Sequence, residues 1–302
     1  MLIDAHVHMW NRKTLPDQAI LSYLAPILDF QDKFGHLFDL GMEGDMPFPD
    51  YEVPVDTIIE IMDLNRMDGM VVLATDFELV GGHRMGLEEH MEWLFQRCSV
   101  DDRFHPFIGV DPNRPNAPEL VEQLVKKYSP IGIKMYPAVG FYPDEERMDA
   151  YWKMVDDLGL LVVTHTGMAL EPLDEKYCHP NMMRKVADRY PDTNFIIAHL
   201  GGKFHDELFP LMEACDNVYA DCSALQGWVP EDIGMLHKRI DDAMSLFPDR
   251  IVFGSDFPLY DEMFSMRRFI EEIDKREWGS EKIRNDFFGD TMARLMDLKW
   301  KV

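Results

Sequence analysis

Several apolar segments of the chain end in a histidine or an aspartate. LIDAHVH carries His6 and His8, and the segments LLVVTHTG, NFIIAHLGG and RIVFGSDFP deliver His165, His199 and Asp256. Imidazole and carboxylate groups are the ligands expected for a divalent ion such as zinc, with positions left open for water. These side chains therefore predict a metal centre, provided that the fold brings the ends of the segments together.

Each of these signals also has a structural interpretation. Two histidines one residue apart can form a chance surface pair, and a lone histidine that ends an apolar strand is more often a hydrogen-bonded core residue. The aspartate of GSDFP can cap a turn or the following helix. The metal centre is favoured because all the signals occupy the same kind of position, at the end of an apolar run.

The apolar runs alternate with amphipathic segments such as NAPELVEQLVKKY and DEERMDAYWKMVDDLG. In these runs the odd-numbered and the even-numbered residues are both apolar. This indicates strands that are covered on both faces, as in a parallel sheet. About eight strand–helix repeats predict an α/β fold of the (β/α)8 TIM-barrel type. The predicted strands are Leu2–His8, Met70–Asp76, Phe104–Asp111, Ile131–Tyr136, Leu160–Thr166, Asn194–His199, Asn217–Asp221 and Arg250–Asp256.

We expect a single barrel domain over residues 1–302, with an insertion at 9–54 after strand 1 and extra C-terminal helices. The C-terminal strand ends of a barrel meet at one rim, where barrel enzymes hold their active sites. The insertion leaves from that rim, so it is expected to form a lid or a subunit contact.

Side chains alternate along the first strand. Asp4, His6 and His8 are therefore predicted to share the inner face, while Ile3, Ala5 and Val7 pack outward on the helices. We expect Asp4 to orient a neighbouring imidazole from behind.

Composition excludes several classes of partner. A formal net charge of −25 repels nucleic acid and anionic membrane surfaces. The cysteines have no CxxC spacing and are predicted to be reduced and mostly buried. A signal-peptide pattern and a long apolar span are both missing from the sequence, so we expect a cytoplasmic protein.

The motifs resemble those of a known group of enzymes. DAHVH, GIKMYP, VVTHTG, IIAHLGG and VFGSDFP are similar to the amidohydrolase superfamily, and to its amidohydrolase-related branch that includes aminocarboxymuconate semialdehyde decarboxylase and dihydroxybenzoate decarboxylases. The resemblance covers nearly the whole chain. It implies that His6, His8, His165 and Asp256 bind the metal, and that His199 acts in catalysis or ligates a second ion.

Lys134 in GIKMYP has two possible chemical states, a carbamylated lysine and a free ammonium. Other amidohydrolases have a carbamylated lysine at the end of strand four that bridges two metals, whereas in this branch that lysine often stays an ammonium. Lys134 is predicted to point inward, and burial beside a cation should lower its pKa. We favour an ammonium that binds a substrate carboxylate.

The resemblance predicts a metal-dependent hydrolase that acts on a small organic acid or on its ester, lactone, amide or thioester. A bound divalent ion lowers the pKa of water to about 7 and polarises a carbonyl oxygen. Asp256 would take the proton of that water, and His199 would stabilise the oxyanion or shuttle the proton. The alternative is a non-oxidative decarboxylase, in which Asp256 would protonate carbon.

Other residues point to the substrate and to the assembly. Trp10 and Arg84 are rim residues that, with Lys134, are expected to bind a small organic acid. The aromatic insertion can equally form a small core of its own. Zinc is the expected metal, with Mn, Fe or Co suiting the same ligands, and a homodimer is the expected assembly. A metal that only stabilises the barrel, or a binding protein without activity, fits less well, because a structural site is closed by four ligands.

Overall fold

The computed structural model describes residues 1–15, 51–81, 85–169, 171–228 and 232–298. These residues form eight parallel strands that are hydrogen-bonded in sequence order. The barrel closes between its first and last strands, where Ala5 N donates to Phe253 O at 2.9 Å and Asp256 N donates to His6 O at 2.8 Å. The predicted (β/α)8 barrel is confirmed. The strands are β1 (Ile3–Val7), β2 (Gly69–Leu73), β3 (Phe104–Gly109), β4 (Gly132–Met135), β5 (Leu161–Thr164), β6 (Phe195–Ile197), β7 (Val218–Asp221) and β8 (Ile251–Val252).

Among the described residues, a helix follows each strand, and two further helices come toward the C-terminal end, as expected from the sequence. The helices are α1 (Val55–Asn65), α2 (Leu87–Cys98), α3 (Ala117–Tyr128), α4 (Asp149–Asp157), α5 (Arg184–Arg189), α6 (His205–Ala214), α7 (Ile233–Leu246), α8 (Met266–Asp274), α9 (Glu281–Asn285) and α10 (Thr291–Leu295). In α3, for example, Val121 and Leu124 are buried one turn apart, and the residue that follows the helix, Ser129, is left-handed with φ 49°.

The barrel interior has an apolar layer and a polar layer. Alternate residues of several strands form the apolar layer, and Met292 and Ala293 of α10 pack against it. Its strand residues are Ile3, Ala5, Val71, Leu73, Phe107, Leu161, Val163, Ile196 and Val252. Lys134 is in register with Val163, so its side chain lies on the same inner face. The inward position predicted for Lys134 is confirmed.

The predicted alternation along β1 is wrong for three of its residues. Ile3 and Ala5 belong to the interior cluster rather than to the outer one. Asp4 is in register with Met70, whose side chain packs with the outer helices. Asp4 therefore does not share the inner face with His6.

The physical reason is an irregularity in β1. The register of β1 against β2 shifts between Asp4 and Val7, as in a β-bulge. A bulge interrupts the strict alternation of side chains, so Ala5 and His6 both turn inward. Val7 then faces outward and belongs to the same hydrophobic cluster as Ile58 and Met62 of α1.

Candidate active site

His6 lies at the centre of the rim and is completely buried, with 0% of the residue exposed. Its Nδ1 is 2.9 Å from Oδ2 of Asp221, and its Nε2 is 3.1 Å from Nζ of Lys134. A carboxylate accepts and an ammonium donates, so Nδ1 carries the proton and Nε2 presents a lone pair. Burial, with the positive charge of Lys134, lowers the pKa of His6 to about 3, so the ring is neutral at pH 7.

His8 is held in the same tautomer by a different partner. Its Nδ1 lies 2.9 Å from the carbonyl oxygen of Leu73, which can only accept a hydrogen bond. Its Nε2 lies 3.3 Å from Oδ1 of Asp256, and Nε2 of His6 lies 3.6 Å from the same oxygen. Two imidazole lone pairs and a carboxylate oxygen thus converge on one point.

This convergence fits a divalent cation. Three acceptor atoms that face one another in a buried site repel unless positive charge lies among them, and the ammonium of Lys134 lies against one of them, Nε2 of His6. Nδ1 hydrogen bonds that fix the tautomer are typical of histidines that ligate a metal. Within the described part of the chain, His6, His8 and Asp256 form one group whose ligand atoms lie within 4.8 Å of one another, and His6, His199 and Asp221 form a second.

His165 and His199 stand beside this group. Nδ1 of His165 is 3.1 Å from Nε2 of His199, and the ring of His199 is 4.9 Å from that of His6. His165 does not belong to either candidate metal group of the described residues; its Nε2 lies 3.1 Å from the carbonyl oxygen of Met168. Burial lowers the pKa of both His165 and His199. Both predicted residues thus reach the rim, on adjacent loops.

Two glycines allow those loops to meet. Gly167 and Gly202 have φ of +94° and +56°, and a Cβ on Gly202 would lie 2.7 Å from Cα of Gly167. A side chain at either position would force the loops that follow β5 and β6 apart. The close approach therefore helps to bring His165 and His199 together.

Asp221 is a site residue that sequence reasoning did not select. Asp221 ends β7 in the segment NVYADC. A histidine or aspartate at the end of a strand is the same signal by which the other rim residues were predicted. Oδ1 of Asp221 accepts the backbone N–H groups of His199 and Ser223, each at 3.0 Å. Burial alone would raise the pKa of Asp221, but the electrostatic contact with the His6 ring and the hydrogen bond from its Nδ1 outweigh burial and hold the pKa below its usual range.

Asp4 does not have the role expected from the sequence. Its Oδ1 accepts the backbone N–H of His6 at 3.0 Å and that of Ser255 at 2.9 Å. It thus joins the backbones of the two segments that carry His6 and Asp256, while Asp221 orients the ring of His6. Burial raises the pKa of Asp4 to about 7.

Lys134 is 2% exposed, and burial lowers its pKa to about 8, as its inward position predicted. Negative charge on Asp221 and Asp256 opposes that shift. The side chain is therefore mostly an ammonium at pH 7, positioned against Nε2 of His6.

Aromatic rings cover the rim imidazoles. Trp10 stacks on His8 with a centroid distance of 4.6 Å, and Tyr136 stacks on His165 at 4.3 Å. Trp10 also packs in a rim cluster with Phe77. Arg84 and residues 16–50 of the insertion lie outside the described residues, so the predicted roles of Arg84 and of the lid stay predictions.

The four cysteines are all free and buried, as expected. Among the described residues, no helix is long and apolar enough to cross a membrane.

A (β/α)8 barrel with histidines and aspartates gathered at its C-terminal rim defines a class of barrel enzymes with a site suited to a metal. Residues 3–298 match the family model described as Amidohydrolase. The chain belongs to this amidohydrolase family, a family of enzymes.

Solved structures share the fold over almost their whole length. An amidohydrolase from Burkholderia multivorans with bound zinc has a TM-score of 0.64 and 17% identity, covering 99% of this chain and 100% of the other. A probable 2-pyrone-4,6-dicarboxylic acid hydrolase from Acinetobacter baumannii with citric acid bound has a TM-score of 0.65 and 13% identity, covering 98% and 99%.

The 5-carboxyvanillate decarboxylase from Sphingomonas paucimobilis has a TM-score of 0.65 and 14% identity, covering 99% of each chain. No curated protein matches the chain. Identities this low establish the common fold, and the neighbours include both hydrolases and decarboxylases.

Proposed function

We propose that the protein is a metal-dependent hydrolase that acts on a small organic acid or on its ester, lactone, amide or thioester. The observation that carries the proposal is the convergence of Nε2 of His6 and Nε2 of His8 on Oδ1 of Asp256, with both Nδ1 atoms tied to acceptors. His165 completes the proposed ligand set. Zinc is the proposed metal, in keeping with the zinc bound to the Burkholderia neighbour.

The bound ion would supply a Lewis acid and activate water for attack. Asp256 would accept the proton of the attacking water, since its carboxylate lies at the point where the two imidazoles converge. His199 would move that proton toward the leaving group. Its ring is buried beside His6 and is not part of the group formed by His6, His8 and Asp256.

Lys134 would bind a carboxylate of the substrate. It is a buried ammonium on the inner face of the barrel. A buried cation favours an anionic ligand. The citric acid in the Acinetobacter neighbour is an acid held by the same fold.

One observation favours a decarboxylase as the second candidate. Nζ of Lys134 is 3.1 Å from Nε2 of His6, so a carboxylate paired with Lys134 would lie among the proposed ligands. A carboxylate in that position is placed to react rather than only to anchor the substrate. Asp256 would first take a proton from a bound water and then deliver it to the carbon that loses carbon dioxide.

The experiment that tests the proposal reconstitutes the purified protein with zinc, manganese or cobalt and screens it for activity. The panel contains lactones, amides, thioesters and aromatic carboxylic acids, including 2-pyrone-4,6-dicarboxylate and 5-carboxyvanillate. Acid release identifies the hydrolase, and release of carbon dioxide identifies the decarboxylase. His8→Ala should lose the metal and the activity together, whereas His237→Ala, which removes a histidine of α7 paired with Glu272, should keep both. Absence of a stoichiometric metal in the reconstituted protein would sink the proposal.

A further inference from the structure

A row of hydrogen-bond contacts runs behind the rim from a carbonyl to a carboxylate. The carbonyl oxygen of Met168 is 3.1 Å from Nε2 of His165, whose Nδ1 is 3.1 Å from Nε2 of His199. Nδ1 of His199 is 2.8 Å from Oγ of Ser223, and that hydroxyl also contacts Oδ1 of Asp221. Ser223 thus links the proposed catalytic histidine to the carboxylate that orients His6.

Both ends of the row can only accept a proton. Met168 contributes a carbonyl oxygen, and Oδ1 of Asp221 already accepts the backbone N–H groups of His199 and Ser223. Between these ends lie two neutral imidazoles and one hydroxyl, which together carry three protons. The row contains four contacts, so one of them must lack a proton.

The surroundings decide which contact lacks the proton. Asp221 is 0% exposed, and a hydrogen bond to a carboxylate is roughly twice as strong as one between neutral groups. Met168 is 61% exposed as a residue and its contact with His165 is only partly buried, so a water molecule can hydrogen-bond to its carbonyl oxygen in place of the ring. The contact without a proton is therefore the one between Met168 and Nε2 of His165. At the other end of the row, the hydroxyl of Ser223 donates to Oδ1 of Asp221.

We propose that Ser223 is a positioning residue that holds His199 as the Nδ1–H tautomer. Since its only proton goes to Asp221, the hydroxyl must accept a proton from Nδ1 of His199. It lies 3.1 Å from Nδ1 of His6 as well, which also carries a proton. Nε2 of His199 then carries a lone pair, which accepts the Nδ1 proton of His165 at 3.1 Å.

The tautomer of His199 limits the role that this ring can have in catalysis. That role rests on the function proposed above. A neutral His199 with a bare Nε2 enters the reaction as a proton acceptor or as a metal ligand. It has no N–H at the rim to donate to an oxyanion. Of the two roles expected from the sequence, the proton shuttle is retained, and the oxyanion donor is excluded for the neutral ring.

The test is a measurement of histidine tautomers by long-range 15N–1H NMR correlation on the full chain at neutral pH. It is made on metal-free and on zinc-loaded protein, and the signals of His199 are assigned by their loss in His199→Gln. No substrate is needed, so the outcome is independent of whether the proposed activity exists. We expect protonated Nδ1 and bare Nε2 in both states. A wild-type His199 protonated at Nε2 overturns the proposal, even if no variant folds.

The variants separate positioning from folding. In Ser223→Ala the Nδ1 proton loses its acceptor, so we expect the Nε2–H tautomer to become the major one, with donation to His165. Ser223→Thr keeps the hydroxyl and should restore the wild-type tautomer. Thr164→Val is the control, because it removes a buried β5 hydroxyl that has no hydrogen-bond partner among the described residues. An unchanged tautomer in folded Ser223→Ala also overturns the proposal.

Discussion

Asp221 supports His6 from behind, with Oδ2 of the carboxylate 2.9 Å from Nδ1 of the ring. Both side chains are completely buried. The contact fixes the tautomer of His6 and aims Nε2 at the point where Asp256 and His8 meet. A side chain that is not itself one of the proposed ligands therefore controls the geometry of a proposed ligand.

Asp221→Asn should weaken metal binding while leaving the proposed ligands in place. Loss of the charged acceptor lowers the basicity of His6 and loosens its orientation, and changes of this kind typically cost about 10–100-fold in metal affinity. Competition with a chromophoric zinc chelator measures the affinity. Asp102→Asn, which changes an exposed aspartate, is the matched control and should bind zinc like the wild type. Equal affinities for wild type and Asp221→Asn would contradict the role given to this carboxylate.

His199→Ala should keep the metal and lose most of the activity. The ring stands beside His6 and is not part of the group formed by His6, His8 and Asp256. Loss of a group that moves a proton in the transition state typically costs about 10²–10⁴-fold in kcat. Metal content and kcat are measured on the same preparation. If the variant loses metal as fully as His165→Ala, then His199 is a ligand and the site is binuclear.

Lys134→Met should stabilise the metal-free protein at neutral pH. Burial lowers the pKa of Lys134 from 10.5 to about 8, so below pH 8 the folded protein carries the cost of a buried ammonium. One pKa unit corresponds to about 1.4 kcal/mol, which puts the cost on the order of 3 kcal/mol. As the pH rises from 8 to 10.5, the folded state releases its proton before the unfolded state does, and the wild type gains stability.

The stability advantage of Lys134→Met should therefore shrink over that interval. Urea denaturation of both proteins at pH 7, 8, 9 and 10 measures it. The same variant should raise KM for carboxylated substrates more than for their methyl esters. An advantage that is constant from pH 7 to 10 would mean that Lys134 does not titrate there, as a carbamylated lysine would not.

Gly202→Ala should disrupt the rim. The residue has φ +56°, and the new Cβ would meet backbone of Gly167 at 2.7 Å. A left-handed conformation alone costs a residue with a Cβ about 1–2 kcal/mol, and the backbone contact adds to that cost. Thermal denaturation and kcat are the measurements. Gly86→Ala is the matched control, since Gly86 has φ −65° and no heavy atom within 4 Å of a built Cβ. Equal losses in the two variants would contradict a special role for the Gly167–Gly202 contact.

The barrel was predictable because its signals are local. Each strand is a short apolar run and each helix an amphipathic segment, and both patterns depend on residues close in sequence. The rim residues His6, His8, His165, His199 and Asp256 were recognisable for the same reason, since each follows an apolar run directly. The inward direction of Lys134 also followed from simple alternation, because β4 is regular.

Where the backbone departs from regular geometry, the prediction failed. Alternation placed Asp4 beside His6, but the irregularity in β1 moved it to the face of Met70. A bulge depends on pairing with the neighbouring strand, which the residues of β1 do not encode by themselves. Strands predicted to run through His199 and Asp256 end earlier, at Ile197 and Val252, and both rim residues are left-handed with φ 61°, which no strand residue adopts.

The sequence by itself determined the fold class, the family and the chemical types gathered at the rim, because these follow from patterns within single elements. Only the tertiary structure decided which groups face one another. Asp221 and His6 are 215 positions apart and Lys134 and His6 are 128 apart, yet each pair is in hydrogen-bond contact. Tautomers, lowered pKa values and the proton count behind His199 all depend on such contacts. They arise from the closing of the barrel, which brings the C-terminal ends of distant strands to one rim.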